Sequence, residues 1–349
     1  MDEFARRRPE DRRAFIDEAA NSLDLTTTII EKDFWVCWTL RRLLNSKELH
    51  GHFTFKGGTS LSKAYNVIHR FSEDVDLTIS RQATLVCGVK SPMEKDISGK
   101  ERGRRIAALK EAAQRYVETI AMPALISEIK AALETSEGWE LLIDPEDPDA
   151  QTLLFQYPRI TGYGIAYGES YGGKADENAY IKPRIKLEFG ARGDPEPSEI
   201  KSISPYLAAV FPEELPDAIC DVPTLSVIRT FWEKVTILHA LHHNSKLRDG
   251  MSRHYYDTLM LSRSGIVEDA CENLDLLEKV VRNKSLMFAD NKASYETAIA
   301  GSLRLIPRQK ILTKLKQDYA EMSEMFMEEP PSFDELLDGL SKLEETLNQ

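Results

Sequence analysis

Apolar side chains recur along this chain with two different periods, and the switches between them mark its elements. From 10 to 46 the spacing is helical, with Phe34, Trp35, Trp38, Leu40 and Leu43 among the apolar positions. "GHFTF" then alternates as a strand and stops at Gly57-Gly58. From there Leu61, Ala64, Tyr65 and Ile68 fall at i, i+3, i+4 and i+7, which predicts one face of a helix. "EDVDLTI" returns to period two, with Val75, Leu77 and Ile79 on one side and Asp74, Asp76 and Thr78 on the other. The order is strand, double glycine, helix, strand.

Beyond this, 80 to 100 reads as a loop, and Lys100 to Leu133 as a long helical insertion. "DPEDPD" is a turn cluster. Strands at about Leu153 to Ile160 and Tyr180 to Gly190 flank a glycine-rich segment, as in a long-looped hairpin. "DPEPSE" at 194 to 199 marks a composition break, and from Pro223 onward the pattern is mostly helical. It closes on the amphipathic "PSFDELLDGLSKLEETL", whose apolar stripe is expected to pack on its own domain. The expected organisation is an α+β core over 1–200, with its insertion at 100–133, followed by a helical domain over 201–349.

Composition narrows the class. A chain of 349 residues with 42% hydrophobic content can bury a sizeable core. Cys37, Cys87, Cys220 and Cys271 are widely spaced with no C-x-x-C pair, which argues against a disulfide framework or a thiolate zinc site and favours a cytoplasmic location. No apolar run is long enough to span a membrane, and the N-terminus lacks a secretory pattern. A net charge of −12 argues against nonspecific coating of nucleic acid, although basic clusters at Arg6 to Arg8, Lys100 to Arg105, Lys182 to Lys186 and Arg304 to Lys316 leave room for a local basic groove.

Asp74 and Asp76 project to one face of their strand, where like charges repel. Hard divalent cations with oxygen ligands relieve such crowding, and two of them form the usual clamp for phosphoryl or nucleotidyl transfer. A solvated strand end explains a lone D-x-D equally simply. Gly57-Gly58-Thr59-Ser60 at a helix start adds a second signal, because glycines admit a ligand to the backbone and free N–H groups attract phosphate. In "YIKPRIKLEFG", Glu188 lies on the polar face with Lys182, Arg184 and Lys186. If that strand pairs beside "EDVDLTI", Glu188 becomes a third carboxylate, for metal or proton transfer. Lys234 interrupts the seam Val227, Phe231, Leu238 and Leu241, so its ammonium either snorkels outward or meets an anion. Asp257 stands four residues after Arg253, the spacing of an exposed helical ion pair.

These pieces together resemble the nucleotidyltransferase superfamily related to DNA polymerase β, and within it the AbiEii/AbiGii toxin family that includes the MenT toxins. The likeness rests on "EKDFWVCWTLRRLL", "FKGGTSLSKAY…RFSEDVDLTI", "YIKPRIKLEFGAR", "TFWEKVTILHAL" and "SRHYYDTLML", in that order. It implies a polymerase β-like core and a helical domain that completes the active site. It implies metal held by Asp74, Asp76 and Glu188, with Mg2+ or Mn2+ in a two-metal site, and catalytic roles for Lys234 and Asp257. Nucleotide contacts would come from Gly57, Gly58, Thr59, Ser60, Arg70, Ser72, Lys186 and Lys234, with Lys56 as an outlying member. The expected reaction moves NMP from an NTP to a hydroxyl, by resemblance the tRNA 3′ end. The outcome would be blocked translation in a toxin–antitoxin or abortive-infection system, restrained by a cognate antitoxin. The rival readings are transfer to a protein or small-molecule hydroxyl, and a nucleotide- or RNA-binding regulator without turnover.

Other signals do not support chemistry. "GESYGGKA" lacks the Ser or Thr of a P-loop. His239 and His243 have ligand spacing but no evident third partner, and "DPEDPD" lacks the EF-hand glycine and glutamate.

Overall fold

The computed structural model describes residues 1–72, 74–160 and 182–349. "GESYGGKA" lies outside these residues, as do Tyr180 and Ile181 of the expected strand. The chain divides into two compact units. The first comprises Met1–Ala64, Phe71–Val89 and Ala107–Thr224, and the second Tyr65–Arg70, Lys90–Ile106 and Leu225–Gln349. The long helical run of the second unit begins at Leu225, and two earlier segments group with it.

The first unit is α+β. Its described strands are β1 (Phe53–Lys56), β2 (Asp74–Ile79), β3 (Glu140–Ile143), β4 (Thr152–Gln156), β5 (Ile185–Gly190), β6 (Ser198–Ile203) and β7 (Cys220–Leu225). They form one sheet in the order β3-β4-β5-β2-β1-β7-β6. β1 runs antiparallel to β2 and parallel to β7. β2 and β5 are parallel, and β4 is antiparallel to both β3 and β5, so the sheet is mixed and the expected β4–β5 pairing is present. The helices up to this point are α1 (Asp2–Arg6), α2 (Pro9–Leu23), α3 (Thr27–Asn45), α4 (Gly57–Lys63), α5 (Gly99–Tyr116), α6 (Met122–Leu133) and α7 (Tyr206–Val210). A short π-helical segment, Val117–Ala121, joins α5 to α6.

Alternation places the core. Val75, Leu77, Ile185, Leu187, Leu153 and Phe155 are almost wholly buried. Trp38 of α3 stacks on Phe155 at 5.9 Å and Trp35 meets it edge-on at 6.0 Å, so α3 covers the apolar side of the sheet. The opposite side carries the charged residues.

Three expectations are corrected here. The helix expected over 10 to 46 is two helices, broken where Asp24 adopts a left-handed φ of 53°. α4 ends at Lys63, although the apolar period continues to Ile68, and Asn66 then turns the chain with φ 52°. β7 was not foreseen, because Pro223 and the short alternation of "CDVPTL" do not read as a sheet interior.

The second unit is helical: α8 (Val227–Asn244), α9 (Ser252–Arg263), α10 (Val267–Glu272), α11 (Leu274–Met287), α12 (Gln309–Glu321) and α13 (Phe333–Leu347). Ser332 and Glu335 close a reciprocal capping box at the start of α13, and Leu336, Leu340, Leu343 and Leu347 bury its stripe within this unit. Among the described residues no helix is long and apolar enough to cross a membrane.

Candidate active site

Strand register assembles the acidic residues. Lys56 of β1 is the Cα partner of Asp76, Asp76 of Glu188, and Glu188 of Thr152, so these four residues form one row across four strands. Asp74 and Lys186 are partners in the adjacent same-face row. Because side chains alternate, Asp74, Asp76, Lys186 and Glu188 all stand on the side away from the buried valines and leucines. The pairing of β5 beside β2, on which Glu188's candidacy depended, is therefore present.

The glycine turn is fitted to this row. Gly57 has φ +81°, a conformation that costs an L side chain strain. A Cβ built on it would lie 1.9 Å from Asp76 Oδ2, so the carboxylate rests where any side chain would be. Thr59 holds the turn to β2: its hydroxyl donates to Ser72 O at 3.1 Å and also to Asp74 O. The buried Ser60 hydroxyl donates to Gly57 O at 2.9 Å. Both hydroxyls shape the turn in this structure. Gly58 is buried in the same turn, and Ser72 is nearly so just before β2.

Lysines set the charge of the row. Lys186 Nζ lies 2.6 Å from Glu188 Oε1, and Lys56 Nζ 3.8 Å from Asp76 Oδ1. Partial burial works to lower the Lys186 pKa, but its bond to Glu188 and the charges of Glu188, Asp74 and Asp144 outweigh this and raise it.

Oxygen donors in register fit a hard divalent cation by type and by face. Among the described residues, however, no three His, Cys, Asp or Glu side chains are gathered closely enough to hold an ion, and Glu188 is turned toward Lys186. Loading would require that rotamer to exchange its ammonium partner for the ion.

The second unit contains a buried charge network that the sequence divided among three motifs. Arg70 Nε donates to Asp257 Oδ1 at 2.7 Å and Arg70 Nη2 to Oδ2 at 2.9 Å, a bidentate pair. Lys234 Nζ donates to the same Oδ2 at 2.7 Å and lies 3.1 Å from His254 Nδ1. Lys234 thus meets an anion within the fold. Asp257 is 0% exposed, so it belongs to no solvated helix face as its spacing from Arg253 suggested. Burial alone would raise the Asp257 pKa, yet Arg70 and Lys234 hold it far below the ordinary carboxylate range. Burial lowers the Lys234 pKa, with Asp257 opposing and Arg70 reinforcing the shift. Half-buried His254 is pushed well down by desolvation and by the neighbouring Lys234 and Arg253 charges. His254 was not singled out from the sequence; its signal was the helical i, i+3 relation to Asp257.

His239 is structural. Its Nε2 lies 3.1 Å from Ser294 O, which can only accept, and its Nδ1 accepts the Arg304 N–H at 3.1 Å. Both ring nitrogens are engaged, and burial lowers its pKa to about 4.

The model of the AbiEii family, nucleotidyl transferase toxins of type IV toxin–antitoxin systems, matches residues 38–339, and the chain belongs to that family. Among solved structures it is similar to MenT4, the nucleotidyltransferase toxin Rv2826c from Mycobacterium tuberculosis H37Rv, with 16% identity, a TM-score of 0.38, and coverage of 95% of this chain and 98% of that one. No curated protein matches.

Proposed function

We propose that this toxin transfers a nucleoside monophosphate from an NTP to an acceptor hydroxyl, with the 3′ end of tRNA as the acceptor, blocking translation in the cytoplasm until its antitoxin counters it. The carrying observation is the register of Asp76 with Glu188, beside a glycine whose missing side chain makes room for the Asp76 carboxylate. Asp74, Asp76 and Glu188 would hold Mg2+ or Mn2+. Such ions, when bound, would supply positive charge to offset that of the phosphates.

The residues themselves divide the remaining work. Gly57 leaves room for the Asp76 carboxylate against the turn, and Thr59 and Ser60 brace that turn from within. Lys186 carries a firmly held positive charge on the acidic face, suited to a phosphate oxygen once Glu188 turns away. In the second unit Arg70 and Lys234 share the Asp257 carboxylate, and Lys234 is the phosphate-gripping member of that network.

Incubation of the purified toxin with each α-labelled NTP and, separately, total tRNA, total protein and small hydroxyl acceptors tests this reading. Label at the tRNA 3′ end that disappears in Asp76→Ala is the expected result. Label on protein or a small molecule would move the acceptor to another class. Toxicity in cells that survives Asp76→Ala would favour a regulator that binds without turnover.

A further inference from the structure

α4 has seven residues, too few to be stable on its own, so its direction is set by what holds its ends. At the first end, Thr59 ties it to the backbone of Ser72 and Asp74. At the last, Lys63 reaches into the protein: its Nζ lies 2.7 Å from Asp33 Oδ1 and 3.7 Å from the centre of the Tyr206 ring. The other Asp33 oxygen, Oδ2, accepts the Tyr206 backbone N–H at 2.6 Å. Asp33 belongs to α3 and Tyr206 to α7, so three helices meet at one ion pair whose side chains are 1% and 7% exposed. Burial opposes both charges: at Lys63 the attraction of Asp33 outweighs it and raises the lysine's pKa, whereas at Asp33 burial prevails over Lys63 and the Tyr206 N–H and raises the carboxyl's pKa.

A buried ion pair is poor evidence of stabilisation, since apolar residues of like volume often do as well or better. It does have a direction, which an apolar contact lacks. Lys63 and Gly57 are the two ends of one helix, so a shift at Lys63 is carried along roughly 9 Å of rigid backbone to the turn. There the tolerance is small, because the space around Asp76 Oδ2 excludes even a methyl group on Gly57.

We infer that Asp33 and Lys63 are positioning residues: their buried pair, closed by Tyr206, seats α4 so that Gly57 meets the Asp76 carboxylate. The catalytic consequence rests on Asp76 acting as proposed above; the seating itself does not. Neither residue is expected to touch substrate, since both are buried.

Hydrogen–deuterium exchange and nucleotide transfer measured on the full chain test this. In Lys63→Met, exchange over 57–64 should rise at least tenfold while β2 and β5 are unchanged, and kcat should fall at least tenfold. Lys63→Arg keeps a cation for Asp33 and a face for Tyr206, and should restore slow exchange and most turnover. Where Lys63→Met fails to fold, the apolar pair Asp33→Leu with Lys63→Met decides. Fast exchange confined to 57–64 supports the clamp, whereas wild-type exchange together with wild-type kcat in that double variant overturns it. Because exchange is read without substrate, a wild-type protein that transfers nothing, together with faster exchange over 57–64 in Lys63→Met, refutes the proposed reaction and leaves the clamp standing.

Discussion

A Cβ on Gly57 would sit 1.9 Å from Asp76 Oδ2, so the shape of the turn and the position of the carboxylate are one feature of the structure. Gly57→Ala should displace Asp76 in addition to straining a backbone at φ +81°, at a strain cost of about 1–3 kcal/mol. The expected outcome is a loss of transfer of 100-fold or more with a cooperative melt retained. Near-normal activity would mean that Asp76 does not need its observed position.

Glu188→Gln keeps the size of the side chain and removes its charge. Lys186, which now lies 2.6 Å from that carboxylate, loses its partner without entering the core. Stability should change by no more than about 1 kcal/mol, as for a partly exposed pair. Turnover should fall by orders of magnitude, and the metal concentration needed for half-maximal rate should rise. Titrating Mn2+ against rate in both proteins distinguishes this from a change in nucleotide affinity.

Asp257→Asn should harm folding more than any other site substitution here. It leaves Arg70 and Lys234 buried without their shared carboxylate, and breaking such a network costs about 3–5 kcal/mol. Denaturant unfolding reads the loss directly. A variant as stable as the parent would show that the network is not held as its distances indicate.

pH supplies a separate check through His254. Its pKa is depressed in the fold, so the unfolded chain binds the extra proton first as pH falls below its ordinary value of about 6.5. Stability should therefore drop between pH 7 and 5, with His254 contributing a slope of up to about 1.4 kcal/mol per pH unit below that value. His239 adds a similar slope until about pH 4. His254→Gln should remove one of these two contributions and flatten the profile. Asp257, depressed instead, keeps its stabilisation throughout this window and loses it only at more acidic pH, so it does not mask the effect.

Local elements, and the side of each strand on which charge falls, are legible in the chain of residues alone. Period two put Asp74, Asp76, Lys186 and Glu188 on polar faces, and the double glycine marked the turn, because both follow from backbone geometry over a few residues. Which strands are neighbours, and in what register, was not legible. β2 and β5 are more than a hundred residues apart, and only the packed sheet makes Asp76 the partner of Glu188. The same holds for buried charge. The run Glu31, Lys32, Asp33 puts three charges in succession, yet each is about 1% exposed, with Glu31 accepting the Ile160 N–H at 2.8 Å, Lys32 donating to Lys182 O at 2.5 Å and Asp33 taking Lys63. Burial of a charge depends on a partner brought from elsewhere in the chain, and tertiary structure alone supplies that partner.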